Sequence, residues 1–538
     1  GELCIIDDGY AWEKMTYDDR GYLVENTYYD AEGNPAFEKE NGVHGYQLEY
    51  DSQGFLCQMV SLGSDGEMKN SSLGHADTRQ VNDSKGRPVR IRYYDESGEP
   101  ACNVQTGEYG FNVVYDEQGN VTEVANLDRE ENPAVARNGY AYMKRQYNEG
   151  GQLIKESYED AAGNPVRIRE NYTSCEFSYD RKGNLQEQIL RDEQGNLCRS
   201  SYGYARVLFQ YDESGNLTET AYFDEENLPV ISSDGYASYK SEYDAYGNCI
   251  RNSYYNTDGS LIKLPDGYAL EEMEYDEYGN AIKYTYYDEN GNPVQHKNLY
   301  HQLVKTYDSR GNCIQEEGYT ADTYRMIQYT YDKNNLLIEQ KYLNEDGSPA
   351  MDEEGVFAYR SQYDEQGRII AMQMTDVFGR PVEASGYTGL EYQYDENNNL
   401  VHAVYYNGEE IQSQEIYSYD EKGNRILTVY QDGGGNPMMT RYGAFTEREY
   451  NDMGDVIRVS YFDTNKEPWI GAEGCASFIN TVDNMGNITE VHYFGADGQP
   501  IVSSGGFASG IREYNAQGWK IRDSFYGLDG DLIGNENG

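Results

Sequence analysis

The groups in this 538-residue chain that could do acid–base, nucleophilic or metal chemistry are six histidines, eight cysteines and 94 acidic residues. The histidines are His44, His75, His296, His301, His402 and His492, scattered over different phases of the sequence. Only His296 and His301 lie close together, and no cysteine beside them completes a metal-ligand spacing. There is no His-Glu-x-x-His, no Cys-x-x-Cys, no glycine-rich phosphate loop and no nucleophile elbow. Carboxylates are so frequent that a pair can be found near any point, which removes their weight as evidence for acid–base catalysis. The expectation is no catalytic residue, no metal site and no enzyme. Calcium is the one cofactor the carboxylates leave open, because hard oxygen ligands suit it. Yet the spacing matches neither an EF-hand nor the Gly-Gly-x-Gly-x-Asp nonapeptide.

The cysteines are Cys4, Cys57, Cys102, Cys175, Cys198, Cys249, Cys313 and Cys475. Cys249 and Cys313 share a phase but lie 64 residues apart, two repeats of the unit described below. One strand spacing per repeat already separates them by about 10 Å, beyond a disulfide's reach. The reading is packed thiols.

Aromatic rings are the other chemistry on offer. Trp12, Trp469 and Trp519 each replace a smaller residue at a repeat position, and Tyr29, Tyr94, Tyr255 and Tyr287 each end a Tyr-Tyr pair. On an exposed face these seven would stack against sugars; the competing fate is packing against a neighbouring strand. Candidate partners are therefore a glycan or cell-wall component, or another surface protein.

Charge narrows the partners further. Against 94 acidic residues stand 43 basic ones, a net charge of −51. Such an excess repels phosphate backbones and anionic lipid, so nucleic acid and membrane surfaces are not expected. No run of apolar residues is long enough to insert in a bilayer as a helix. The charge also keeps a long array from sticking to its neighbours.

What must position these groups is a repeat. The element Tyr-Asp-x-x-Gly-Asn starts at Tyr17, Tyr50, Asn82, Tyr115, Tyr147, Tyr179, Tyr211, Tyr243, Tyr275, Tyr307, Tyr331, Tyr363, Tyr394, Tyr419, Tyr450, Val482 and Tyr514. Fourteen of the 16 intervals are 31 to 33 residues; the others are 24 (307–331) and 25 (394–419). A fixed period of this size means a solenoid or related array. The fifth position is Gly in 15 copies and Asn335 or Asn398 in the other two. Gly and Asn are the residues that best tolerate a left-handed backbone, so the motif is a tight hairpin turn.

About 12 residues later comes a second turn, as in Tyr286-Tyr287-Asp288-Glu289-Asn290-Gly291-Asn292-Pro293, and eleven of the 13 prolines fill its last slot. Proline has no amide to donate, so it marks a strand's first residue or an edge. A third signal is Gly-Tyr-Ala, as in Gly139-Tyr140-Ala141, Gly235-Tyr236-Ala237 and Gly267-Tyr268-Ala269. One unit then reads strand, turn, strand, turn, short strand, turn: 236–243, 248–255 and 261–264. No window shows sustained helical periodicity. The fold class is all-β, a tandem-repeat β-solenoid or spiralling sheet without significant helix. The single continuous array spans 1–538, about sixteen repeats. Stacked repeats should align their tyrosines into ladders, and single repeats should not fold alone.

The short repeats at 307–331 and 394–419 lack the second turn and its proline, so they should interrupt the stack, as a kink or binding notch or as a simple deletion. Gly1 opens inside repeat sequence, and the last residues would lead into another Gly-Tyr-Ala. The expectation is a fragment, or molecules that associate end to end.

Tyr-Asp-x-x-Gly-Asn, as in Tyr211-Asp212-Glu213-Ser214-Gly215-Asn216-Leu217, resembles the YD/RHS repeat family across nearly the whole chain. That resemblance implies secreted or surface proteins whose strands spiral into tubes or shells, some enclosing a toxin, others adhesive. The period here is longer than in typical RHS repeats, and the Asp-Pro-x-Gly-Leu motif that precedes a released toxin domain is absent. A weaker similarity links Tyr94-Asp95-Glu96-Ser97-Gly98-Glu99-Pro100 to aromatic cell-wall- and choline-binding repeats. The expected function is a structural or adhesive display role, extracellular or on a bacterial cell surface. The alternatives are a carbohydrate or cell-wall binding module, or a shell segment of an RHS-type toxin.

Overall fold

The structure, a computed structural model, describes residues 9–30, 32–297, 300–319, 324–514 and 520–533. These hold 35 strands, from β1 (Trp12–Tyr17) to β35 (Leu532–Ile533), and no helix. Each strand pairs antiparallel with the one before and the one after it, so the whole array is one open, continuous sheet. Because every connection is a hairpin, the first turns all lie along one rim of the sheet. The second and third turns lie along the other.

The first turn has the chemistry its sequence implies. In Asp212–Asn216 the Asp212 amide donates to the Asn216 carbonyl at 3.0 Å, and the Gly215 amide to the Asp212 carbonyl at 3.2 Å. Asp212 Oδ1 accepts from the Ser214 and Asn216 amides, and Oδ2 from the Asn216 side chain. The Asn216 side chain and these amides hold the Asp212 carboxyl below its ordinary range. Gly215 has φ 93°, and Asn335 and Asn398 take the same left-handed place at φ 64° and 65°. The pairing shifts by one residue at Tyr211, the bulge that accompanies such a loop.

The anchor tyrosine does a separate job. Its hydroxyl reaches back 26 residues and donates to a backbone carbonyl of the preceding repeat: Tyr243 to Leu217 and Tyr275 to Cys249, each at 2.8 Å. In the short repeats Tyr331 bonds Cys313 O, 18 residues back, and Tyr419 bonds Leu400 O, 19 back. Where the anchor is not tyrosine, an amide takes over. Asn82 and Gln80 both donate to Leu56 O, and Asn480, two residues ahead of Val482, donates to Val456 O. Tyr243→Phe should therefore cost about 1 kcal/mol. Hydrogen exchange should show the loss confined to the repeats beside Leu217, because a solenoid transmits stability to its neighbours only.

All eleven second-turn prolines form a one-residue antiparallel bridge back to the end of their own hairpin, as Pro293 does to Tyr287. The expected third strand, 261–264, is shorter than its sequence implied. Only Leu261 bridges, to Tyr255. Leu264 already opens the third turn, exchanging hydrogen bonds with Tyr268 and Gly267, so its backbone cannot extend the ladder. The alanine of Gly-Tyr-Ala is then wedged between hairpins. Ala269 is fully buried, its amide donating to Tyr287 O and its carbonyl accepting from Tyr254.

The Tyr-Tyr pair divides between the two faces, as strand alternation requires. Its first ring joins the Gly-Tyr-Ala ring in a ladder: Tyr204, Tyr222, Tyr236, Tyr254, Tyr268, Tyr286 and His296, with successive centroids 4.8–5.9 Å apart. Aromatic pairs of this kind are worth about 0.5–1.5 kcal/mol each beyond the area they bury. At the short repeats the sheet runs on: β20 (Cys313–Tyr319) pairs directly with β21 (Tyr324–Tyr331), and β26 (Leu400–Asn407) with β27 (Glu410–Tyr419). The interruption falls on the second- and third-turn layer and its ladder.

Candidate functional site

The histidines do not converge. His75 is buried and stacked on Tyr93, and burial pushes its pKa down to about 4. His44 bonds Ala36 O, His402 lies against Gln414, and His492 against Glu490. His296 belongs to the tyrosine ladder. Seven cysteines, Cys57, Cys102, Cys175, Cys198, Cys249, Cys313 and Cys475, are free thiols; Cys4 lies outside the described residues.

Of the seven candidate sugar-stacking rings, the structure brings two together. Trp12 stacks on Tyr29 with centroids 4.4 Å apart, each covering the other. Tyr94 lies under the Arg79 guanidinium and Tyr255 near the Lys240 ammonium, while Tyr287 donates to Glu272. These four tyrosines are half-buried. Trp469 is 43% exposed, just after Pro468. Trp519 lies outside the described residues.

No motif announces the contact that forms between distant repeats. Arg137, in a third turn, meets Asp455, in a first turn 318 residues later: Nη2 lies 2.8 Å from both carboxylate oxygens, and Nη1 donates to Val104 O at 2.8 Å. Arg169 donates to Met485 O, 316 residues later, at 2.8 Å. The sheet thus spirals, and the first-turn rim of one revolution docks on the second- and third-turn rim of the revolution before. Arg137 precedes β9 (Tyr142–Tyr147) and Asp455 follows β29 (Phe445–Tyr450), so one revolution takes 21 strands. A cleft of about 440 Å³ opens along this seam, lined among others by Lys69, Asn70, Arg137, Asn399 and Lys422.

At another point of the seam three carboxylates face one another. Asp30 and Glu32, in a second turn, meet Glu365, in a first turn of the next revolution, with oxygens within 4.8 Å of one another. This is where calcium would find converging hard oxygen donors. Asp30 already accepts from Asn34 and from the Glu32 and Asn34 amides. Repulsion, from Glu32 first and then Asp30, pushes the Glu365 carboxyl above its ordinary range. A raised acid favours the folded seam while protonated, and that contribution is lost as pH rises through the folded pKa. Amide exchange at Glu32–Gly33 and Glu365–Gly367 should therefore speed up, relative to Glu365→Gln, just above the ordinary glutamate range. The turn aspartates, whose pKa values are lowered, act oppositely and at lower pH. A profile identical in the two proteins would remove Glu365 from the seam's energetics.

No family model matches the chain, and no curated protein matches it. Among solved structures it is similar to the crystal structure of TcdB2-TccC3-TEV, with TM-score 0.55 and 12% identity over 96% of this chain and 24% of that one. It also aligns with TcdB2-TccC3 without its hypervariable C-terminal region (TM-score 0.45, 13% identity, 94% of this chain and 24% of that one). A third alignment is with TcdB2-TccC3 (TM-score 0.37, 12% identity, 97% and 29%). The chain spans about a quarter of the length of the first of these. At that identity the first likeness establishes a shared fold: a tandem-repeat β-sheet that coils back onto itself.

Proposed function

We propose that this chain is a wall segment of a hollow YD-repeat shell of the RHS type, a non-enzymatic container that works outside a bacterial cell. The observation that carries the reading is the seam. A repeat sheet used only for display has no need to meet itself; a wall does, because an unsealed spiral leaks. Here the rims are joined by Arg137–Asp455 and Arg169–Met485. Twenty-one strands per revolution, at about 4.8 Å each, give a perimeter of about 100 Å and a tube about 30 Å across between backbones. The shared fold with TcdB2-TccC3-TEV and the Tyr-Asp-x-x-Gly-Asn motif support the same reading. The adhesive reading has less beneath it, since Trp469 is the one candidate ring that stands exposed among the described residues. Electron cryo-microscopy of the chain should show end views with an empty centre. A straight rod or a filled particle would sink the proposal.

A further inference from the structure

One slot just after the second turn is apolar along the wall. Its amide donates to the carbonyl of the ladder residue, as Val166 does to Tyr158, Val294 to Tyr286 and Ile501 to Tyr493. Wherever the described residues contain this turn, the slot holds Ala, Val, Ile, Met, Cys or Trp, with one exception. The exception is Lys69, whose amide makes the same bond to Ser61 O at 2.9 Å. Ser61 is itself a departure, because most repeats put the ladder's aromatic ring there. A lysine in an otherwise apolar slot must bring its ammonium to water or to an anion. Lys69 is half-buried, and no carboxylate pairs with it among the described residues.

Lys69 lines the seam cleft of about 440 Å³, whose two walls come from residues 42–137 and 397–454. Asn399 and Asn424 line the second wall. They donate their side-chain amides to Asp395 and Asp420 at 3.0 and 2.9 Å, which leaves their amide oxygens as acceptors. Asp420 is consumed by its own turn: one oxygen takes the Lys422 and Asn424 amides, the other the Asn424 side chain. Glu421, the other lining carboxylate, is exposed. Lys422 adds a second cation, held loosely at 3.6 Å from Asp452, whose side chain is 78% exposed. Val104 and Met453, the latter at the tip of its first turn, supply an apolar patch.

We propose that this cleft binds an acidic monosaccharide, a hydroxyl-rich ring that carries one carboxylate. Lys69 takes the carboxylate in a charge-assisted bond, the strongest single contact on offer. The amide oxygens of Asn399 and Asn424 accept from ring hydroxyls, and the C–H face of the ring rests on Val104 and Met453. The cleft has the size of a small-ligand pocket. Lys69 and Asn424 belong to different revolutions, so the sugar bridges the seam. A ligand that fits only the closed seam stabilises closure by mass action. The site requires the seam but not a hollow centre, so it stands or falls separately from the container reading.

Titration calorimetry of the chain with D-glucuronate, D-glucose and acetate tests this, with hydrogen exchange as a second readout. Glucuronate should bind, and glucose and acetate, each offering half of its groups, at least about tenfold more weakly. Lys69→Met should weaken glucuronate binding about tenfold. The fold tolerates it, because Met438 already fills the equivalent slot. Lys240→Met, which removes a cation from β15 (Ser238–Tyr243), away from the cleft, should leave binding unchanged. Glucuronate should slow exchange on both walls, at 71–74 and at 422–424. Neither heat nor protection with glucuronate, equal binding of glucose or acetate, or affinity that survives Lys69→Met overturns the site. Protection of one wall alone overturns the bridge.

Discussion

Asp455→Asn should open the seam while leaving the sheet intact, at a cost of about 2 kcal/mol. The figure is that of charge-assisted hydrogen bonds between partly buried groups: the Arg137 and Asp455 side chains are 17% and 16% exposed. A fully solvated ion pair would contribute far less. The substitution is unusually clean. Asp455 fills the sixth slot of its turn, which is Asn in most repeats, as Asn216, Asn248 and Asn280 show. Asparagine therefore keeps the turn and removes only the charge that Arg137 reads. Arg137→Ala also removes the bond to Val104 O, so a double-mutant cycle is needed to isolate the pair. Hydrogen exchange should rise at Val104–Gly107 and Asn451–Gly454, while strands a few repeats away keep their protection. A coupling below about 0.5 kcal/mol would make the contact an ordinary surface ion pair and leave the coil without its latch.

That latch explains which parts of the molecule can be read from sequence. The first turn is legible because its causes lie within five residues: an aspartate that accepts its own turn's amides and a left-handed Gly or Asn. The proline slot is legible for the same reason, since a missing amide has a local meaning. The 26-residue reach of the anchor hydroxyl recurs along the chain, but its acceptor is a backbone carbonyl, which leaves no mark on residue type. The misjudged short strand, 261–264, failed where two local signals competed, a strand start at Leu261 and a turn start at Leu264. The seam was out of reach. Its register comes from curvature accumulated over 21 strands, to which each repeat adds a small increment that no motif encodes. Even so, it left traces as departures from the repeat: Asp455 where Asn is usual, and Met453 and Met485 where the tip is otherwise mostly polar. In a repeat protein the positions that obey the pattern build the wall. Those that break it show where the wall meets something.

Gly443→Ala, on the third-turn rim, should cost about 3 kcal/mol. Two effects add. Gly443 has φ 81°, a region that disfavours any Cβ. A Cβ there would also sit 2.4 Å from Phe462 O and 3.1 Å from Phe462 N. That carbonyl cannot retreat, because it accepts the Ala444 amide at 2.7 Å, and crowding a fixed backbone is costly. First-turn glycines such as Gly21, Gly215 and Gly311 share the left-handed φ without the crowding. Around Gly215 a Cβ would meet nothing within 4 Å, so Gly215→Ala should cost about 1 kcal/mol. Gly215→Asn should cost less still, since Asn335 and Asn398 already occupy the equivalent position. Chemical denaturation of the three variants gives the order directly, and equal losses at both glycines would refute the close-approach argument. The consequence reaches the seam. Gly443 lies against the far end of the hairpin formed by β29 and β30 (Val456–Phe462), whose tip carries Asp455. A hairpin prised from its base loses the aim of its tip, so Gly443→Ala should raise exchange around Val104 as well, though it never touches that side of the wall.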